Sequence, residues 1–310
     1  MASLAAFGAY LPQKVISNAV LADELGCSDE WIVQACGIQE RRQAAEHETV
    51  PALGAKAAED CMARAGLAAS GVDLLLVSSS SPEQRFPGPA ALVAHSLGLS
   101  GVPALDVSAA SAGSLFALCV ASRMSVAYPR ILVVAAERMT SVSLRRPLDR
   151  NTAILFGDGA GACLVMDEGP GLRVIDSVLH SDGAFGGDLR LGLDGPIEMN
   201  GQTVILQAHR KIPATIQEVL ARQGLRPSDI AVFMMHQANQ NLITRVARAL
   251  DVPVSRFFSN IALRGNTSSA SMLIAASEYF AGRGLEQGDR VCFTAFGAGF
   301  HWGALLAEAT

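Results

Sequence analysis

The sequence predicts an α/β protein built from two similar halves around a layered core. Three observations carry this expectation. Apolar runs such as DLLLVSS, ILVVAAE and DIAVFMM are short, continuous and bounded by turn residues, the pattern of strands covered on both faces. Helical patterns alternate with them, PAALVAHSLGL after the first and NLITRVARALDV after the last. The same order of parts also occurs twice, and internal repetition reports on architecture directly.

Residues 63–81, ARAGLAASGVDLLLVSSSS, read as a helix end, a glycine stop, a short link and a buried strand. Residues 221–239, ARQGLRPSDIAVFMMHQAN, repeat that order 158 positions later. SAASAGSLFALCVASRM has a counterpart in RGNTSSASMLIAASEYF, each a small-residue turn entering an apolar helix. FGDGAGACLVMDE pairs with FGAGFHWGALLAE, each a Gly-rich turn leading into a strand that ends in an acid. The division falls near Gly169, giving residues 1–169 and 170–310. Two layers of sheet with helices between and outside them would bury this much aliphatic surface.

Composition narrows the function classes. At 310 residues the chain can hold one large core or two domains, and 50% of it is hydrophobic against 17% charged. A formal net charge of −5 leaves no broad basic face for nucleic acid, although Arg145, Arg146 and Arg150 form a local cluster that could hold a phosphate. Cys27, Cys36, Cys61, Cys119, Cys163 and Cys292 show no metal-ligand or CxxC spacing and read as reduced core residues, so no metal site is expected. The segment 1–17 lacks the basic start and long apolar run of a signal peptide, and no apolar run approaches a bilayer span. A cytoplasmic protein is expected.

Polar residues interrupt the apolar pattern at corresponding turns. Ser111, in DVSAASAGSLF, stands where a helix begins, a position that suits a nucleophile and equally a helix cap. His236 follows DIAVFMM directly and fits either a titrating catalytic group or a core histidine bonded to backbone. Asn266, in RGNTSSAS, fits a polarising amide or ordinary turn chemistry. The FGAG turn can supply a backbone N–H opposite a nucleophile. Neither GDGAGA nor FGAG has the spacing of a nucleotide-binding loop.

DEWIVQACGIQERR, DVSAASAGS, DRNTAILFGDGAGA, HQANQNL, GNTSSAS and FGAGFHWG, in this order, resemble the β-ketoacyl-[acyl-carrier-protein] synthase III family over essentially the whole chain. The resemblance implies a thiolase fold, with pseudo-symmetric halves in an α-β-α-β-α core, and a homodimer. It implies acyl transfer from an acyl-CoA or acyl-carrier thioester, then decarboxylative condensation with a malonyl-type thioester in fatty-acid or polyketide biosynthesis. Coenzyme A thioester is substrate there, and no cofactor is bound permanently. By position, Ser111 takes the nucleophile's place, His236 and Asn266 complete the catalytic set, and the N–H groups of Ser111 and Ala298 form the oxyanion hole. Trp31 and Arg150 match residues holding adenine, Gly201, Gln202 and Asn239 fall in the substrate-binding set, and Phe86 matches a residue closing the neighbouring subunit's acyl pocket. Leu144, Leu155 and Ile205 join Phe86 as residues that shape the pocket.

The departures from that pattern are specific. The family has cysteine where Ser111 stands, arginines where Ala35 and Asn241 stand, and asparagine where Gln202 stands. Loss of two cations thins the charge available for coenzyme A and for carrier-protein docking. A serine hydroxyl needs a base that a thiolate does not, and its oxyester is a weaker electrophile. Alternatives to condensation therefore stay open here: non-condensing acyl transfer or starter-unit loading, an engineered Cys-to-Ser change, or a noncatalytic partner subunit.

Overall fold

The computed structural model describes residues 1–192 and 195–310. Nine strands form the main sheet. In chain order they are β1 (Ser3–Tyr10), β2 (Leu74–Ser78), β3 (Ala104–Asp106), β4 (Arg130–Arg138), β5 (Asp158–Met166), β6 (Leu172–Ser181), β7 (Val232–Met235), β8 (Arg290–Gly297) and β9 (His301–Ala309). Six of the chain's helices are α1 (Asp29–Cys36), α2 (Val50–Ala65), α3 (Gly113–Met124), α4 (Gly201–Arg222), α5 (Gln240–Ala249) and α6 (Ser271–Gly282). Local chemistry explains their ends. Thr49 caps α2 by accepting the Ala52 N–H, and Asn239 caps α5 by accepting the Asn241 N–H at 2.8 Å.

Strand order across the sheet is β7-β8-β9-β6-β1-β5-β4-β2-β3, which is one pattern used twice. In the first half β2 and β4 are parallel while β4–β5 and β5–β1 are antiparallel. In the second half β7–β8, β8–β9 and β9–β6 repeat those senses in that order. The half-sheets join where β1 meets β6 through two residue pairs, Ser3 with Arg173 and Leu4 with Leu172. The counterpart of β3 is a single parallel bridge between Phe233 and Phe257.

Helices α3 and α6 pack against strands from both half-sheets and form the central layer. Leu115 and Leu118 of α3 share one buried cluster there with Leu273 and Ile274 of α6. Each such side chain taken from water contributes roughly 1.5–3 kcal/mol. Helix α2 covers the outer face of the first half-sheet and α4 that of the second. The five-layer α-β-α-β-α arrangement is the expected thiolase architecture, and β2, β4 and β7 are buried along their lengths as the continuous apolar runs predict.

The 158-residue offset holds at the level of single residues. Helix α6 begins and ends 158 positions after α3, and the left-handed residues Ala110 and Ser268, both at φ 45°, are separated by the same number. Ser111 lies in the 3-10 turn Ala110–Ala112 that runs directly into α3, so it stands where a helix begins. One expectation needs correction. The two Phe-Gly segments are not equivalent: Phe156 precedes β5, whereas Phe296 and Gly297 end β8. The cause is an excursion, residues 139–157, between β4 and β5, where β8 and β9 are joined by residues 298–300 alone. Among the described residues no helix is long and apolar enough to cross a membrane.

Candidate active site

Ser111, His236 and Asn266 line one apolar channel whose walls include Leu155, Phe156, Met235 and Phe296. Helix α4 supplies one side through Gly201, Val204, Ile205, Ala208 and Ile212, spaced as one helical face. Almost all the channel's polarity is therefore concentrated at the three residues and Asn239.

The turn that carries Ser111 is held by close backbone packing. Gly297 of β8 lies against it so tightly that a Cβ there would stand 2.8 Å from the Ser111 nitrogen and 2.7 Å from that of Ala112. Ser111 Oγ is 3.2 Å from Ser268 Oγ, which in turn is 3.2 Å from Ser80 Oγ. Neither the Ser111 N–H nor the Ala298 N–H has an acceptor among the described residues. A backbone N–H without an acceptor, in the same residue as a hydroxyl, is the kind of donor an oxyanion hole uses.

His236 is fixed through its backbone, whose N–H donates to Thr294 O of β8 at 2.9 Å. Its ring is buried, with Nδ1 2.5 Å from Ser271 Oγ at the start of α6. Burial alone brings its pKa down to about 4, so the imidazole is neutral at physiological pH. Asn266 is held by a short parallel bridge to Phe156: its N–H donates to Leu155 O at 2.9 Å and its carbonyl accepts the Gly157 N–H at 3.1 Å. Its side-chain Oδ1 accepts the Ser268 N–H at 2.9 Å, which leaves Nδ2 as a donor with no acceptor among the described residues. The preceding Gly265, at φ 67° and ψ −168°, occupies backbone space essentially closed to other residues.

Below this level a buried carboxylate ties the loops together. Glu137 accepts from Ser81 Oγ and Ser269 Oγ at 2.6 Å each, and from the N–H groups of Ser80 and Ser269. Burial raises its pKa in spite of these donors. It anchors the 268–271 turn, which carries the partners of both Ser111 and His236.

The remaining predicted residues lie outside this convergence or play other parts in it. Trp31 and Arg150 stack on each other, with the guanidinium carbon 3.8 Å from the ring centroid. Arg145 and Arg146 turn elsewhere, toward Ser141 O and Gly195 O and toward Glu24, so the three arginines form no common anion site. Gln202 is exposed and does not line the channel. Leu144 packs instead with the cluster of Ile32 and Ile154. Phe86 is 85% exposed, away from the channel of its own chain. Asn239 lines the channel, but its amide is committed: Nδ2 donates to Ala35 O at 3.0 Å while Oδ1 caps α5. Asn241 Nδ2 donates to Gln34 O and Ala35 O, so it caps the end of α1.

Sequence reasoning passed over Ser268, Ser271 and, on the α4 stripe, Val204, Ala208 and Ile212, while Gly201 and Ile205 line the channel. The stripe was visible as Gly201, Val204, Ile205, Ala208 and Ile212, but such a face is identical to one that simply packs on a core. The cysteines supply no substitute nucleophile: all six are free, only Cys27 is less than fully buried, and burial pushes Cys61, Cys119 and Cys292 to about 12.

Residues 105–183 match the family described as 3-Oxoacyl-[acyl-carrier-protein (ACP)] synthase III, and residues 220–309 match its C-terminal family. The chain is 37% identical to a beta-ketoacyl-[acyl-carrier-protein] synthase III of Oleidesulfovibrio alaskensis, over 97% of this chain and 96% of that one. It is 38% identical to the enzyme of that name from Rhodobacter capsulatus, over 96% of both. Among solved structures, the 3-oxoacyl-[acyl-carrier-protein] synthase III of Aquifex aeolicus superposes with a TM-score of 0.95 at 34% identity, covering 99% of this chain and 100% of that one. The priming β-ketosynthase of the R1128 polyketide pathway superposes at 0.93 with 30% identity, covering 100% and 96%. With whole-chain identity above a third and a shared architecture, the chain belongs to the 3-oxoacyl-[acyl-carrier-protein] synthase III family of thiolase-fold acyltransferases.

Proposed function

We propose that this chain accepts an acyl group from an acyl-CoA or acyl-carrier thioester onto Ser111 and condenses it with a malonyl-type thioester, in fatty-acid or polyketide biosynthesis. The observation that carries the reading is that Ser111, His236 and Asn266 line one and the same apolar channel. In the first step Ser111 Oγ attacks the thioester carbonyl, the C–S bond breaks, and the hydroxyl proton leaves with the thiol. In the second step the malonyl C–C bond breaks to release CO2, and the electron pair moves onto the thioester oxygen as an enolate. His236 and Asn266 stabilise that oxygen by hydrogen bonding. The enolate carbon then attacks the ester, the N–H groups of Ser111 and Ala298 hold the tetrahedral oxyanion, and collapse breaks the ester C–O bond and expels Ser111 Oγ, which takes its proton from water. Removing one such donor costs on the order of 10²–10³ in rate.

Supporting features extend to assembly. Strand β3 is an open edge of the main sheet with Leu105 50% exposed, and Phe86 projects from the molecule. Both suit a homodimer in which Phe86 closes the partner's acyl pocket. The division into residues 1–169 and 170–310, a cytoplasmic location and docking of a carrier protein belong to the same proposal.

Acyl transfer without condensation is a second reading. It is favoured by the hydroxyl nucleophile, whose partner is another hydroxyl, Ser268, and not a base. The two are separated by product analysis with an acyl-CoA and a malonyl thioester. Condensation predicts a β-ketoacyl product that is lost in Ser111→Ala and increased at least ~10-fold in Ser111→Cys, because a thioester intermediate is the better electrophile. Acylation of Ser111 with no β-ketoacyl product supports the second reading instead.

A further inference from the structure

His236 has a neighbour that decides what its ring can do. Ser271 Oγ lies 2.5 Å from Nδ1, and the same oxygen accepts the backbone N–H of Gln237 at 3.0 Å. A hydroxyl offers one proton and two lone pairs. With Gln237 occupying one lone pair, the Ser271 proton has no other acceptor than Nδ1 among the described residues. Gln237 is itself immobilised, its side chain donating to Met235 O and Phe258 O and accepting the Asn260 N–H.

We infer that Ser271 is a positioning residue: its hydroxyl, oriented by the Gln237 N–H, donates to His236 Nδ1 and holds the ring in the tautomer with hydrogen on Nε2. Which ring nitrogen carries the proton is set by the bond the other one makes. The channel then receives two N–H donors, Nε2 of His236 and Nδ2 of Asn266, and no ring base.

The repeat gives an independent comparison. At the 158-residue offset, His236 corresponds to Ser78 and Ser271 to Gly113. In the first half the helix start has no side chain, and Ser78 Oγ fills the space a Cβ on Gly113 would need. The hydroxyl at the helix start therefore accompanies the imidazole, in the half that has one.

The consequence separates two chemistries. A ring with hydrogen on Nε2 stabilises an enolate or carbonyl oxygen, and it cannot take the Ser111 proton through that nitrogen. The reverse tautomer could act as base for Ser111 but would offer the enolate no donor. This step rests on the proposed reading in which the substrate carbonyl meets His236 and Asn266, whereas the tautomer itself does not.

Nitrogen-15 NMR of histidine-labelled protein tests it, with His236 assigned by its loss in His236→Gln. Wild-type protein is expected to show the Nε2–H correlation pattern for His236. Ser271→Ala is expected to convert it to a mixture or to the Nδ1–H form, and Ser271→Thr to restore it. Decarboxylation of a malonyl thioester should fall about 10- to 100-fold in kcat in Ser271→Ala with KM unchanged, and recover in Ser271→Thr. A wild-type Nδ1–H pattern, or a tautomer unmoved in Ser271→Ala, overturns the assignment. Wild-type protein that shows the Nε2–H pattern yet decarboxylates no malonyl thioester upholds the tautomer and sinks the proposed function.

Discussion

Ser111, His236 and Asn266 owe their places to different local causes. Ser111 is set by a left-handed Ala110 and the pressure of Gly297, Asn266 by a glycine backbone and a bridge to Phe156, and His236 by the end of a buried strand. The burial of His236 has a measurable cost in acid. Its folded pKa of about 4 lies below the ordinary value of 6.5, so the unfolded chain binds the proton more readily. The stability associated with the neutral ring is complete above about pH 6.5 and is lost as pH falls toward 4, a change of order 3 kcal/mol. Urea unfolding of wild type and His236→Gln across that window should show the wild type losing stability faster on acidification. Parallel curves would contradict the neutral, buried ring.

At the scale of elements, β8 bears on the site more than its length suggests. It ends in Phe296 and Gly297, which line the channel, and Gly297 presses on the turn that carries Ser111. Gly297→Ala places a methyl against the Ser111 and Ala112 nitrogens and must displace the turn that carries Ser111. A loss of at least ~10²-fold in kcat is expected, with folding checked by circular dichroism. Unchanged turnover would mean that this turn does not hold the reacting atoms. Much at this scale was legible in the sequence. The strands β2, β4 and β7 announced themselves as continuous apolar runs, and the α3/α6 repeat was visible as small residues entering an apolar helix. The Phe-Gly pairing misled because both segments combine a turn with a strand, and only topology shows that one precedes its strand and the other closes one. The three arginines 145, 146 and 150 looked like one cluster because sequence proximity says nothing of side-chain direction. Ser271 was hidden for another reason: its partner lies 35 residues away, and nothing local marks the contact.

For the whole molecule, the duplicated half-sheets place the two central helices back in a shared core, so the site draws on both halves and neither holds it alone. Ser111 comes from the first half, and His236 and Asn266 come from the second. The open edge at β3 is where a second copy would extend the sheet. Leu105→Lys places a charge on that edge, and sedimentation should show a dimer becoming monomer with the fold retained. A wild-type protein that is already monomeric would remove the partner from the account of Phe86.

Intact-mass analysis after incubation with acyl-CoA donors of increasing chain length bears most directly on Ser111. A single acyl adduct is expected on the peptide containing Ser111, absent in Ser111→Ala and discharged by a malonyl thioester. No adduct from any donor, in the serine protein or in Ser111→Cys, would contradict it, as would an adduct that persists in Ser111→Ala.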